Sequence, residues 1–123
     1  NHKQTSRWPH WLNWLPFGRV PVLSASQLAN HLDDYYVLDV RTPLEWRRSR
    51  IPGAHSLPLH RLSDNVIQQL PADQPIICVC LTAHRSKPAT RKLCQAGLQA
   101  MELEGGMRAW WKQQLPNEHS SPD

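Results

Sequence analysis

Ile76-Ile77-Cys78-Val79-Cys80-Leu81-Thr82-Ala83-His84-Arg85-Ser86-Lys87-Pro88 reads as a strand, a short loop and the first turn of a helix. The aliphatic and β-branched residues ahead of Cys80 suit a strand buried on both faces, as in a parallel sheet. In an open α/β sheet ligands gather outside the carboxyl ends of the strands, and Cys80 falls there. Ser86 or a neighbour is expected to cap the helix, with Pro88 in its first turn, where a missing N–H does no harm. The unpaired amides and the positive dipole end then point back into the loop and favour an anion. Loop amides, helix terminus and Arg85 each lower a thiol pKa, so Cys80 is a candidate nucleophile. The competing reading is a small apolar residue closing a core strand; a cation five positions on, just before the helix, favours chemistry.

Working outward, Leu32 precedes Tyr35-Tyr36-Val37-Leu38-Asp39-Val40, a second strand that brings Asp39 and Arg41 to the same sheet edge. Pro21-Val22-Leu23 reads as a short strand before a helix opened by Ser24 with Gln27, a capping box. Pro43 starts a helical turn through Glu45 and Trp46, Ile51-Pro52-Gly53-Ala54 is a turn, and His55 to Leu57 is a short strand. Leu59 to Leu62 and Asn65 to Leu70 suggest short helices. After the loop, Ala89, Leu93 and Ala96 mark the inner face of a helix ended by Gly97; Leu98 to Leu103 is a last strand, and Met107 to Gln114 a closing helix after Gly105-Gly106. Strands alternating with helices at this spacing predict an α/β fold, a central parallel β-sheet flanked by helices on both faces. The domain is expected over residues 20–116, with a Trp-rich arm over 1–19 and a mobile tail over 117–123.

With 123 residues, 40% of them hydrophobic, the chain suits one domain with a full core. A net charge of +4, with arginines scattered among carboxylates, gives little support to nucleic-acid binding and suits small anionic substrates. Three cysteines, without a C-x-x-C pair, indicate neither a disulfide framework nor a zinc site. The seven histidines are dispersed, so no metal and no other cofactor is expected. No run approaches the roughly 18 to 20 apolar residues of a membrane span. Half of the six tryptophans lie in the arm, where Trp8, Trp11 and Trp14 could pack on the domain or meet a protein partner or a membrane surface. A cytoplasmic protein, with membrane association through that arm as an option, is expected. The chain does not open on methionine, which leaves room for a preceding segment.

Asp39-Val40-Arg41 with Glu45-Trp46, Ile51-Pro52-Gly53-Ala54, the loop from Cys80 to Ser86, and Gly105-Gly106-Met107-Arg108-Ala109-Trp110 follow in the order and at the intervals of a known family. Over roughly Val20 to Pro116 the chain resembles the rhodanese-like sulfurtransferase domains. The resemblance implies a cysteine that takes a sulfane sulfur from a donor, thiosulfate or a protein persulfide, and passes it as a persulfide to a thiophilic acceptor such as cyanide or a thiol. Four residues, Leu81 to His84, separate Cys80 from Arg85, which resembles the sulfurtransferase form; the related phosphatases carry one more.

Three departures from the family pattern, at four positions, stand out. Ala83 stands where Gly is common, and a positive φ there would cost of order 1 kcal/mol. Leu81 replaces a polar or cationic residue of many thiosulfate-using members, which favours a protein persulfide as donor and predicts weak thiosulfate turnover. Ser49-Arg50 replaces Gly-His. The expected roles are Cys80 as sulfur carrier, Arg85 as the supporting charge, and the amides of Leu81, Thr82, Ala83, His84 and Ser86 as an anion cradle. Asp39 and Arg41 are supporting residues or simply an ion pair tying loops. His84 either bonds the donor or faces water. Cys78, Cys94, Gly105, Gly106, Trp46 and Trp110 are expected in packing and turns. A non-catalytic partner-binding module is the runner-up and a phosphatase a distant third.

Overall fold

The computed structural model describes residues 20–120; the Trp-rich arm, with Trp8, Trp11 and Trp14, and residues 121–123 lie outside them. β4 (Ile76–Val79) is fully buried because it has neighbours on every side. It pairs in parallel with β2 (Tyr36–Asp39), in the register Leu38 opposite Cys78 and Asp39 opposite Val79, and with β5 (Ala100–Leu103). β1 (Val22–Leu23) and β3 (His55–Ser56) complete a five-stranded sheet of order β1-β5-β4-β2-β3, with all pairs parallel.

Side chains alternate across the strands, which divides the core in two. Ile77 and Val79 face one side with Val37, Leu103 and Leu28 of α1 (Ala25–Asn30), and with Met107 and Trp110 of α5 (Gly106–Lys112). Ile76, Cys78 and Cys80 face the other with Leu38, Ile67 of α3 (Asp64–Ile67), and Ala89, Leu93 and Cys94 of α4 (Ser86–Gln95). Helices thus cover both faces of a parallel sheet, as the alternating pattern predicts.

Local chemistry sets the element ends. The Ser24–Gln27 capping box opens α1, and a second box, Thr42 with Glu45, opens α2 (Pro43–Arg48), with Pro43 at a position that needs no N–H. Gly97, at φ +92°, ends α4 as predicted: its N–H donates to the carbonyl of Cys94 and that of Leu98 to the carbonyl of Leu93. The predicted Leu59–Leu62 and Asn65–Leu70 helices shrink to a 3₁₀ turn, Leu59–Arg61, and the single turn of α3.

Of the tail expected over 117–123, the described residues 117–120 make defined contacts. Glu118 exchanges backbone hydrogen bonds with Arg50, each 2.9 Å, and Ser120 N–H donates to the carbonyl of Arg47. Arg50 accounts for this: its guanidinium lies 4.0 Å over the Trp46 ring and reaches the Glu118 carboxylate and Ser120 Oγ. Ser49 accepts from Trp111 Nε1 at 2.9 Å. The Ser49-Arg50 departure from the family pattern thus fastens Trp111 of α5 and residues 118–120 to this segment. Among the described residues no helix is long and apolar enough to cross a membrane.

Candidate active site

Cys80 follows β4 directly and its residue is buried, while Thr82 and His84 of the ensuing loop are exposed. The loop turns its carbonyls away from the sulfur because α5 takes them. Met107 N–H donates to the carbonyl of Cys80 at 2.8 Å and Arg108 N–H to that of Leu81 at 3.0 Å. Gly106, at φ +59°, lies so close that a Cβ there would collide with the carbonyl oxygens of Thr82, Cys80 and Leu81. With the carbonyls bound on one side, the amides face the other.

There the N–H of Arg85 donates to Cys80 Sγ at 3.2 Å. Burial alone would push the Cys80 thiol up, but the amides of Arg85, Thr82 and Ser86, together with the Arg85 guanidinium, outweigh it and hold the pKa below the ordinary thiol value. The neighbouring cysteines behave oppositely. Burial pushes Cys78 up to about 12 and raises Cys94, whose thiol donates to the carbonyl of Ala100. Both pack in the core, as expected for them.

Arg85 is held from outside the loop. Its Nη1 and Nη2 donate to Glu45 Oε1 and Oε2 at 2.8 and 3.1 Å, a bidentate pair of half-buried side chains. Glu45 Oε1 also accepts from the N–H and hydroxyl of Thr42, so the carboxylate that closes the α2 capping box also fixes the loop arginine. Arg85 first, then the Thr42 donors, bring Glu45 to about 2 against the opposing effect of burial, and the pairing raises Arg85 in turn. Glu45 entered the sequence reading as part of a helical turn; its role across the site was missed, because the two residues are 40 positions apart.

Of the two options for the helix start, Ser86 or a neighbour, the neighbour holds the cap position and Ser86 is the first helical residue. Arg85 is the N-cap of α4, without a side-chain cap bond, and the buried Ser86 Oγ donates instead to Glu102 Oε1 at 3.0 Å. Glu102, buried in β5, also accepts from Lys87 Nζ at 2.8 Å, which ties the first turn of α4 to the sheet. The Ser86 amide still faces the sulfur. Ala83 has no positive φ: among the described residues outside glycine, only Gln114 does, at 55°. The expected strain at Ala83 is therefore absent, and the loop needs no glycine there.

Asp39 and Arg41 form a buried ion pair at 2.7 Å, with Arg41 Nη2 also donating to the carbonyl of Ser49 at 2.6 Å. Their bonds go to each other and to this segment, none to Cys80 or Arg85, which supports the tying role. Trp46 and Trp110 donate their indole N–H groups to the carbonyls of Ala54 and Pro116, packing roles as expected. Among the described residues no three His, Cys, Asp or Glu side chains gather as metal ligands.

A family model for the rhodanese-like domain matches residues 24–113, a span that carries β2 to β5, the loop and α5. The chain belongs to the rhodanese-like family. This rhodanese-like domain is 33% identical over 94 residues to a sulfurtransferase of Allochromatium vinosum, covering 76% of this chain and 87% of that one. It is 36% identical over 83 residues to a Mycobacterium tuberculosis protein named probable adenylyltransferase/sulfurtransferase MoeZ, covering 66% of this chain but only 21% of that protein. A rhodanese-related protein of Thermoplasma volcanium has the same fold, with a TM-score of 0.76 at 28% identity over 80% of this chain and 98% of its own.

Proposed function

We propose that the protein is a sulfurtransferase in which Cys80 carries the sulfur. The observation that supports this most is the Arg85 N–H donating to Cys80 Sγ at 3.2 Å, inside a cradle that lowers the thiol pKa. The Cys80 thiolate attacks the outer, sulfane sulfur of a donor, thiosulfate or a protein persulfide. The new S–S bond forms as the donor's own bond to that sulfur breaks, and the donor departs with the bonding electron pair as sulfite or a thiolate. Cys80 is left as a persulfide whose terminal negative charge occupies the place where the amides of Thr82, Arg85 and Ser86 converge. An acceptor nucleophile, cyanide or a thiolate, then attacks that outer sulfur and releases the Cys80 thiolate unchanged.

The partners follow from the chemistry: a small anionic donor or a protein persulfide, and a thiophilic acceptor. Intact mass after incubation with a sulfane donor is the test. One added sulfur that a reductant removes, absent in Cys80→Ser, is the expected result; an adduct persisting in that variant would refute the assignment.

A further inference from the structure

α2 carries Glu45, and its six residues are too few for a helix to hold itself together in water. The Thr42 capping box fixes its start, while the carbonyls that a helix leaves unpaired at its far end need donors from elsewhere. These come from two distant parts of the chain. Arg50 Nη1 donates to the carbonyl of Trp46 at 3.2 Å, and Ser120 N–H donates to the carbonyl of Arg47 at 2.8 Å. The same guanidinium lies 4.0 Å over the Trp46 ring, and a cation there suits the negative end of the helix dipole. Residues 118–120 hold Arg50 in turn. Its backbone exchanges hydrogen bonds with Glu118, its Nε reaches the Glu118 carboxylate at 3.3 Å, and its Nη1 reaches Ser120 Oγ at 3.0 Å. The ties from Arg41 and Trp111 end on Ser49, past the helix, and serve neither carbonyl.

We propose that Arg50, anchored by Glu118 and Ser120, is a positioning residue for the reactive cysteine: it fixes the far end of α2 and through that helix keeps Glu45 on Arg85 and Arg85 beside Cys80. Trp46, clamped between Arg50 and the carbonyl of Ala54, directly follows Glu45, so the clamp acts one position from the carboxylate. The two bonds from Arg85 to Glu45, at 2.8 and 3.1 Å, leave little tolerance, and a helix shift of about 1 Å takes both out of bonding range. Once released, the half-buried guanidinium turns toward water, where its charge is screened and its contact with the sulfur is lost. The strap of residues 118–120 thus reaches the thiol through one helix and one ion pair. The inference rests on the sulfurtransferase reading only for what the thiol goes on to do.

The experiment follows alkylation of Cys80 by iodoacetamide against pH in the full chain, which reads the thiolate without any sulfur donor. Arg50→Ala should move the profile to higher pH and lower the rate at pH 7 by roughly two- to fivefold. That variant also removes a charge, so Ser120→Pro supplies a neutral counterpart: it deletes the N–H given to Arg47 and should move the profile in the same direction. In an Arg85→Ala background neither substitution should shift the profile further, because the link through which both act is already gone. Profiles that superimpose on wild type or move to lower pH overturn the proposal, as does a further shift in the Arg85→Ala background. A shift confined to Arg50→Ala reports only its lost charge and overturns it as well. Sulfur loading from thiosulfate should slow by the same factor as alkylation. A wild-type chain that is alkylated but takes up no sulfur defeats the sulfurtransferase reading, while the alkylation profiles still decide the role of Arg50.

Discussion

Glu45 grips the Arg85 guanidinium with both carboxylate oxygens, and the same carboxylate closes the cap of α2. One side chain therefore fixes the start of one helix and the cation beside the thiol in another part of the chain. Arg85→Ala removes a cation whose presence favours the thiolate, so the Cys80 pKa should rise. The alkylation profile of the variant should move to higher pH, with the rate at pH 7 reduced by roughly five- to tenfold. Superimposable profiles would show that the guanidinium is not coupled to the sulfur.

The same pair sets an acid limit. Glu45 is lowered in the fold to about 2, so the folded state favours its ionised form and the unfolded state holds the proton more tightly. Its contribution to stability is fully present above the ordinary carboxylate pKa near 4.5 and is lost as pH falls from there toward about 2. Glu45→Gln should therefore be less stable than wild type at pH 7, with the gap closing across that window. Urea denaturation of both proteins at several pH values measures it; a gap independent of pH refutes the prediction.

Replacing the carrier leaves the other thiols in place. Cys80→Ser should abolish sulfur uptake, with no adduct shifting to Cys78, at about 12, or to Cys94, raised by burial. Stability should change by less than about 1 kcal/mol for so small a replacement, read by thermal unfolding.

Two glycines separate strain from collision. Gly53, at φ +80° with open space around it, should cost about 1 kcal/mol as alanine, from the left-handed backbone alone. Gly106→Ala adds a collision with three loop carbonyls and should cost on the order of 3 kcal/mol or more. Its effect should extend to chemistry, since α5 must move off the loop: alkylation of Cys80 slows in Gly106→Ala and is unchanged in Gly53→Ala. Equal reactivity in both variants would mean that α5 does not shape the cradle.

Ala83→Gly tests the loop's backbone. Since Ala83 is not held at positive φ, glycine relieves nothing and adds freedom to the unfolded chain. Sulfur loading should not improve, and stability should fall by about half a kcal/mol. Faster loading would restore the view that this position is strained.

The strand-loop-helix reading around Cys80 was legible because one buried strand, one cysteine and one arginine leave few arrangements open. The same holds for the Ser24 and Gly97 helix ends, where backbone needs and residue type coincide. What escaped sequence reasoning was tertiary. Nothing local in Glu45 says that it meets Arg85, and nothing local in Ser86 says that Glu102 in β5 will take its hydroxyl from the capping position. Gly106 resembled any turn glycine until its distance to the loop carbonyls was seen. The tail after Pro116 looked patternless because its partners, Arg47 and Arg50, lie far back in the chain. Ala83 was read with a strain that its backbone does not carry, since its φ is not positive and its carbonyl accepts from Lys87 N–H in the first turn of α4.

The anchoring of Cys80 and Leu81 by Met107 and Arg108 also orders events in time. On a chain made from its N-terminus, the cysteine is synthesised well before the two amides that turn its loop. Until those amides emerge, the sulfur sits in a segment whose carbonyls are free to swing inward. The cradle around the sulfur can therefore close only after residues 107 and 108 have been made and α5 has folded onto the loop.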